Sequence, residues 1–128
     1  MVAVGSGAGA TAAAVVSALA VDGRRVCALE TPRTPRDRRR GLIGREGITG
    51  AFFLPRCPAV HTVGMRFAID VAFVDRRMVV VEVVTMAPGR LGWPRWRARS
   101  CVEAEAGSFA RWGLRRGSRL ELRTSEEA

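Results

Sequence analysis

One stretch, Phe67-Ala68-Ile69-Asp70-Val71-Ala72-Phe73-Val74, constrains the fold more than any other part of the chain. Successive side chains of an extended strand point to opposite faces. Phe67, Ile69, Val71 and Phe73 therefore share one face, and Ala68, Asp70, Ala72 and Val74 share the other. The face of large side chains is expected to contact the core. Asp70 stands between two alanines on the opposite face, where a partner side chain could reach its carboxylate. Asp75-Arg76-Arg77 then reads as a hairpin connection into a second apolar strand over residues 78–84.

The punctuation around this pair sets the other elements. Residues 26–29 read as a short strand, broken at Thr31-Pro32. Thr34 is placed to cap a helix, Pro35 suits its first position, and Asp37 can accept amide hydrogen bonds at the positive helix end. This short helix carries Arg36, Arg38, Arg39 and Arg40 and stops near Gly44. Ala51–Pro55 reads as a buried strand. Pro88, Gly89 and Gly92 open a loop that runs through Trp93-Pro94-Arg95-Trp96. A strand over residues 99–104 follows and ends by Gly107. Ser108–Trp112 has room for one or two helical turns closed by Gly113. After a turn at Arg115-Arg116-Gly117, residues 118–122 form the last strand. Strands outnumber helices, and no internal repeat occurs. The expected fold is α+β: one compact β-dominated domain with a mixed or antiparallel, barrel-like sheet and two short helices.

A chain of 128 residues fits one domain, and 48% hydrophobic residues suffice for a core. No apolar run reaches the roughly 20 residues of a membrane-spanning helix. Residues 1–20 are nearly all small or apolar, and glycines 5, 7 and 9 oppose a helix. They read as a flexible tail. Ala18-Leu19-Ala20 resembles a signal-peptidase site, but no basic residue precedes Arg24, so any export signal is weak. The ordered domain is assigned to residues 21–123 and a charged tail to 124–128. A cytoplasmic location is expected, with export through the N-terminal signal as the alternative.

The formal charge is +9, from 21 basic and 12 acidic side chains, and every basic one is arginine. Total exclusion of lysine, with abundant Ala, Gly and Val, looks like a coding bias rather than a surface selected for a specific nucleic acid. Loose attraction to polyanions is the coarser expectation. Cys27, Cys57 and Cys101 cannot all pair with one another and match no metal or redox spacing. They read as free thiols in a reducing compartment, with one disulfide as the alternative in an exported protein. Neither a metal nor a cofactor is expected.

The chemistry-bearing residues cluster in a few places. His61, the only histidine, lies in a Pro/Gly-bounded segment and could act as an acid or base near neutral pH. Cys57 precedes it by four positions, and Asp70 could orient such a couple if the fold turned its face around. A structural histidine between strands is the simpler reading. Arg40-Gly41-Leu42-Ile43-Gly44-Arg45 sets two arginines beside two glycines at a helix exit, where they could grip a carboxylate or phosphate. Internal pairing of Arg40 or Arg45 with Asp70, Glu82 or Glu103 is the competing account. Glu103 and Glu105 share a strand face and read as a solvated or arginine-paired edge. Trp93, Trp96 and Trp112 read as packing over a small core, with one of them marking a contact surface as the alternative.

The same motifs carry a family resemblance. Residues 34–45, 60–75, 103–107 and 113–120 resemble, in order, the opening, central and closing motifs of the family called domain of unknown function 192. Many members have Phe-Trp-Met-Lys-Asn-Thr where this chain has Val60-His61-Thr62-Val63-Gly64-Met65, a His-Thr-x-x-Met variant. The family motifs fall here on Arg40, Gly41, Arg45, His61, Thr62, Met65, Asp70, Glu103, Gly107, Gly113 and Gly117. The resemblance implies a compact, mainly β fold with short helices; some relatives carry export signals, and no reaction comes with it. Three functions compete from the sequence. The first is a binding or accessory module whose polar groove, built from Arg40, Arg45, His61, Asp70 and Glu103, receives a small anionic ligand or a peptide. The second is a hydrolase using His61 with Cys57 or Asp70. The third is an interaction protein displaying Trp93 or Trp96.

Overall fold

The computed structural model describes residues 17–124. Its elements are β1 (Ser17–Val21), β2 (Arg24–Glu30), α1 (Pro35–Arg40), β3 (Ala51–Pro55), β4 (Ile69–Val74), β5 (Val80–Met86), β6 (Ser100–Glu105), α2 (Ser108–Trp112) and β7 (Leu120–Arg123). The seven strands form one sheet in the order β5-β4-β6-β3-β2-β1-β7. Only β2 and β3 run parallel; every other neighbouring pair is antiparallel.

Two expectations are corrected. The sheet is mixed and accompanied by two short helices, but it is open, not barrel-like. Closure needs a ladder between the edge strands β5 and β7. They meet only through the isolated bridge Val79↔Arg119 and its flanking backbone bonds, such as Leu120 N–H to the Met78 carbonyl at 2.8 Å. The short β7 spends its ladder on β1 instead. The second correction is at the start. Residues 17–20, read as tail, form most of β1, and Ala18, Leu19 and Ala20 are fully buried between β2 and β7. The overlooked signal is Asp22-Gly23, a two-residue hairpin loop with both φ angles positive, 51° and 85°. Residues 1–16 and 125–128 of the two assigned tails lie outside the described residues.

The sheet is covered on both faces, so β4 is buried along its whole length. Ile69, Val71 and Phe73 pack with Leu42, Phe52, Leu54, Val60 and Met65 on one face. Ala72 and Val74 pack with Leu19, Val102, Phe109 and Leu114 on the other. The alternation at 67–74 thus sorts large from small side chains between two cores rather than core from solvent. α1 begins as its sequence indicates: the Thr34 hydroxyl accepts the Asp37 N–H at 3.0 Å.

Candidate functional site

β6 lies in the sheet interior between β4 and β3, and its alternation directs Cys101 and Glu103 to the face that carries Ile69, Val71 and Phe73. Glu103 is therefore not the solvated edge residue that its spacing to Glu105 indicated. It is 4% exposed and has no hydrogen-bond partner among the described residues, whereas Glu105, at the strand end, is exposed. Burial, reinforced by the nearby Cys57 charge, pushes the Glu103 carboxyl up to about 8. It is thus a neutral acid, able to donate, at neutral pH.

This carboxyl lines a cavity of about 150 Å³. Arg38, Arg39 and Arg40 of α1 form one side, Cys57, Ala59, Val60 and His61 another, and Leu42, Leu54 and Met65 supply apolar wall. Arg38 is engaged by the Arg56 carbonyl at 2.7 Å. Arg39 and Arg40 are exposed and have no acidic partner among the described residues. The Cys57 thiol donates to the Ala59 carbonyl at 3.1 Å, and the buried Cys101 thiol donates to the Cys57 carbonyl at 2.7 Å. Interaction with the neighbouring Cys101 thiol holds Cys57 below the ordinary thiol range despite its burial. Cys101 is pushed upward by that interaction and by its own burial.

The groove expected from sequence divides accordingly. Arg40, Cys57, His61 and Glu103 converge on the cavity; Arg45 and Asp70 do not. Arg45 bonds the Glu30 carboxylate through both terminal nitrogens, at 3.0 Å for Nη1–Oε1, and lies 5.5 Å from the Phe52 ring centroid. That pair keeps the Arg45 guanidinium charged. Asp70 serves the opposite face. Its Oδ2 accepts the Gly107 and Phe109 N–H groups at 2.9 and 3.1 Å, and Oδ1 accepts the Thr85 hydroxyl at 2.8 Å. α2 has no capping side chain of its own, so a carboxylate from the sheet caps it. Glu82 likewise has a partner, but it is Arg95. Gly107, Gly113, Gly117, Gly41 and Gly44 all take positive φ; at Gly107 (95°) this lets the chain present two N–H groups to Asp70.

Arg38, Arg39 and Ala59 were not singled out from sequence as parts of one site. The Thr34-Pro35 helix start was the available signal, because it fixes which turn the arginines occupy.

These features define an open-sheet α+β domain with a small arginine-flanked cavity over a buried acid. The chain belongs to the DUF192 family, described as "Uncharacterized ACR", whose model matches residues 17–122. No curated protein matches it. Among solved structures it is similar to a Sinorhizobium meliloti 1021 protein described as a candidate transcription regulator, with 16% identity and a TM-score of 0.74 over 86% of this chain and 95% of that one. It is also similar to a protein of unknown function from Novosphingobium aromaticivorans DSM 12444, at 19% identity and a TM-score of 0.70, covering 83% of this chain and 84% of that one. At these identities the likeness shows the fold alone.

Proposed function

We propose that the chain is a binding module whose cavity takes the anionic end of a small molecule or an extended peptide. The observation that carries this is Glu103: a buried acid with no hydrogen-bond partner among the described residues, facing a cavity flanked by arginines. A neutral carboxyl donates to an anionic oxygen instead of repelling it, and Arg39 and Arg40 supply the balancing charge. A volume near 150 Å³ suits a carboxylate or phosphate with a short apolar extension along Leu54 and Met65.

Calorimetry or NMR shift mapping with short-chain carboxylates, inorganic phosphate and C-terminal peptides tests this. Binding should be strong at pH 6, weaken above pH 8 as Glu103 ionises, and fall at least about tenfold in Arg39→Ala/Arg40→Ala. Indifference of every binder to those two arginines, or absence of any binder, overturns the reading.

A second reading, hydrolysis through Cys57 and His61, draws on their shared cavity and the lowered Cys57 value. Asp70 takes no part in it, since its carboxylate is committed to α2 on the other side of the sheet. Turnover of thioester or ester probes that vanishes in both Cys57→Ser and His61→Ala would establish it; no turnover removes it.

The three thiols are free, as a reducing compartment keeps them, and no helix among the described residues is long and apolar enough to cross a membrane. Cleavage after Ala20 would remove all of β1 but Val21 and separate β2 from β7. That favours the cytoplasm over export through this site. Cell fractionation with an antibody to the chain decides between them.

A further inference from the structure

The large apolar side chains left in solvent are concentrated in one place. Of the five exposed among the described residues, Leu91 (80%), Trp93 (82%) and Trp96 (89%) lie on the β5–β6 loop, and Val63 (49%) lies on the neighbouring segment. The two segments are joined by the His61↔Leu91 bridge and by Thr62 N–H to the Arg90 carbonyl at 2.8 Å.

The exposure is built into the loop. Arg95, between the tryptophans, turns inward. It bonds Glu82 at 2.9 and 3.0 Å, stacks 4.4 Å over the Phe73 ring centroid and donates to the Trp93 carbonyl at 2.6 Å. The Arg95 N–H also donates to the Pro58 carbonyl at 2.8 Å. The Thr62 hydroxyl donates to the Ala87 carbonyl at 2.6 Å and accepts the Arg90 N–H at 2.8 Å. At Gly92 a Cβ would stand 2.4 Å from the Val60 carbonyl oxygen, so the close approach there requires glycine. A backbone pinned on both flanks thus holds Trp93 and Trp96 outward.

From these observations we infer that the loop is a docking surface for an anionic lipid bilayer. No acidic residue occurs between Glu82 and Glu103, while Arg90 and Arg97 are exposed beside the apolar side chains. Tryptophan suits the bilayer interface, and arginine is drawn to anionic headgroups. The aliphatic pair decides against single-stranded nucleic acid. Leu91 and Val63 have no ring to stack on a base, but both gain by entering the acyl boundary.

The test is flotation of the full chain with phosphatidylcholine vesicles, with and without phosphatidylglycerol, while following tryptophan emission. The protein should float only with anionic vesicles, its emission should shift to the blue, and added salt should release it. Trp93→Ser/Trp96→Ser should lower partitioning at least about tenfold, and Arg90→Glu/Arg97→Glu should abolish it. Both variants should melt with the native protein, because they replace exposed side chains. The inference is overturned if anionic vesicles are not bound or if the tryptophan variant floats like the native chain. It is equally overturned if sedimentation shows a dimer lost in that variant, or if Trp-dependent binding is found only with a single-stranded oligonucleotide.

Discussion

Asp70 and Phe109 are 39 residues apart, yet the Asp70 carboxylate, standing on β4, accepts the Phe109 N–H at 3.1 Å. The bond ties α2 to β4, one strand in from the sheet edge, and gives a buried acid a purely architectural role. Glu103, on the next strand but the opposite face, has no such partner among the described residues and looks into a cavity. Two buried carboxylates in one small domain thus have opposite fates, set by which face each one points to.

Removing the Asp70 carboxylate should cost stability. Asp70→Ala strands two N–H groups at the start of α2 and should lower the unfolding free energy by about 2–4 kcal/mol. Asp70→Asn should cost less, since its amide oxygen can still accept both N–H groups while its NH₂ donates to Thr85. Denaturant melts of the two variants make the comparison.

Glu103 should make stability fall with pH. Its folded value, pushed up to about 8 by burial and the Cys57 charge, lies above that of an unfolded glutamate, so the folded state holds the proton more tightly. That contribution is complete below about pH 4 and is lost as pH rises to about 8, a change on the order of 5 kcal/mol. Glu103→Gln, which cannot ionise, should therefore gain on the native chain between those limits. Unfolding both proteins in urea at a series of pH values measures the difference.

Thiol reactivity should single out Cys57. It lines the cavity and lies below the ordinary thiol range, while burial pushes Cys27 up to about 11 and Cys101 is fully buried. Limited alkylation near neutral pH, read by peptide mass, should label Cys57 first. Cys101→Ala should slow that labelling by removing the neighbouring thiol whose interaction holds Cys57 below the ordinary range.

Thr34→Ala should destabilise the chain by about 1 kcal/mol through loss of the cap on Asp37 N–H. Because the short helix carries Arg38, Arg39 and Arg40, the variant should also weaken ligand binding at the cavity. A thermal melt and a binding isotherm on the same sample separate the two effects.

Where signals were local, residues and structure agree. The Thr34-Pro35-Asp37 start of α1, the Asp75 turn and the alternation through β4 each rest on contacts between near neighbours, and each forms as read. β1 was missed because alanine-rich composition outweighed the Asp22-Gly23 hairpin. Its identity as a strand depends on β7, about a hundred residues away in sequence. The barrel expectation failed for a related reason: strand count says nothing about whether two edges meet.

The site followed the same division. The sequence by itself determined which residue types were available: a run of arginines after a capped turn, one histidine, three thiols and two acids at alternating strand positions. It also determined which side chains of a strand share a face, because that period is built into extended backbone. Only the tertiary structure decided which face was which. The order β5-β4-β6-β3 buries β6 in the sheet interior, turning Glu103 from an apparent surface residue into a buried acid. The same packing sent Asp70 to cap α2 and Arg45 to Glu30, leaving Arg40, Cys57, His61 and Glu103 around the cavity. Those pairings join residues far apart in the chain, and no local pattern encodes their meeting.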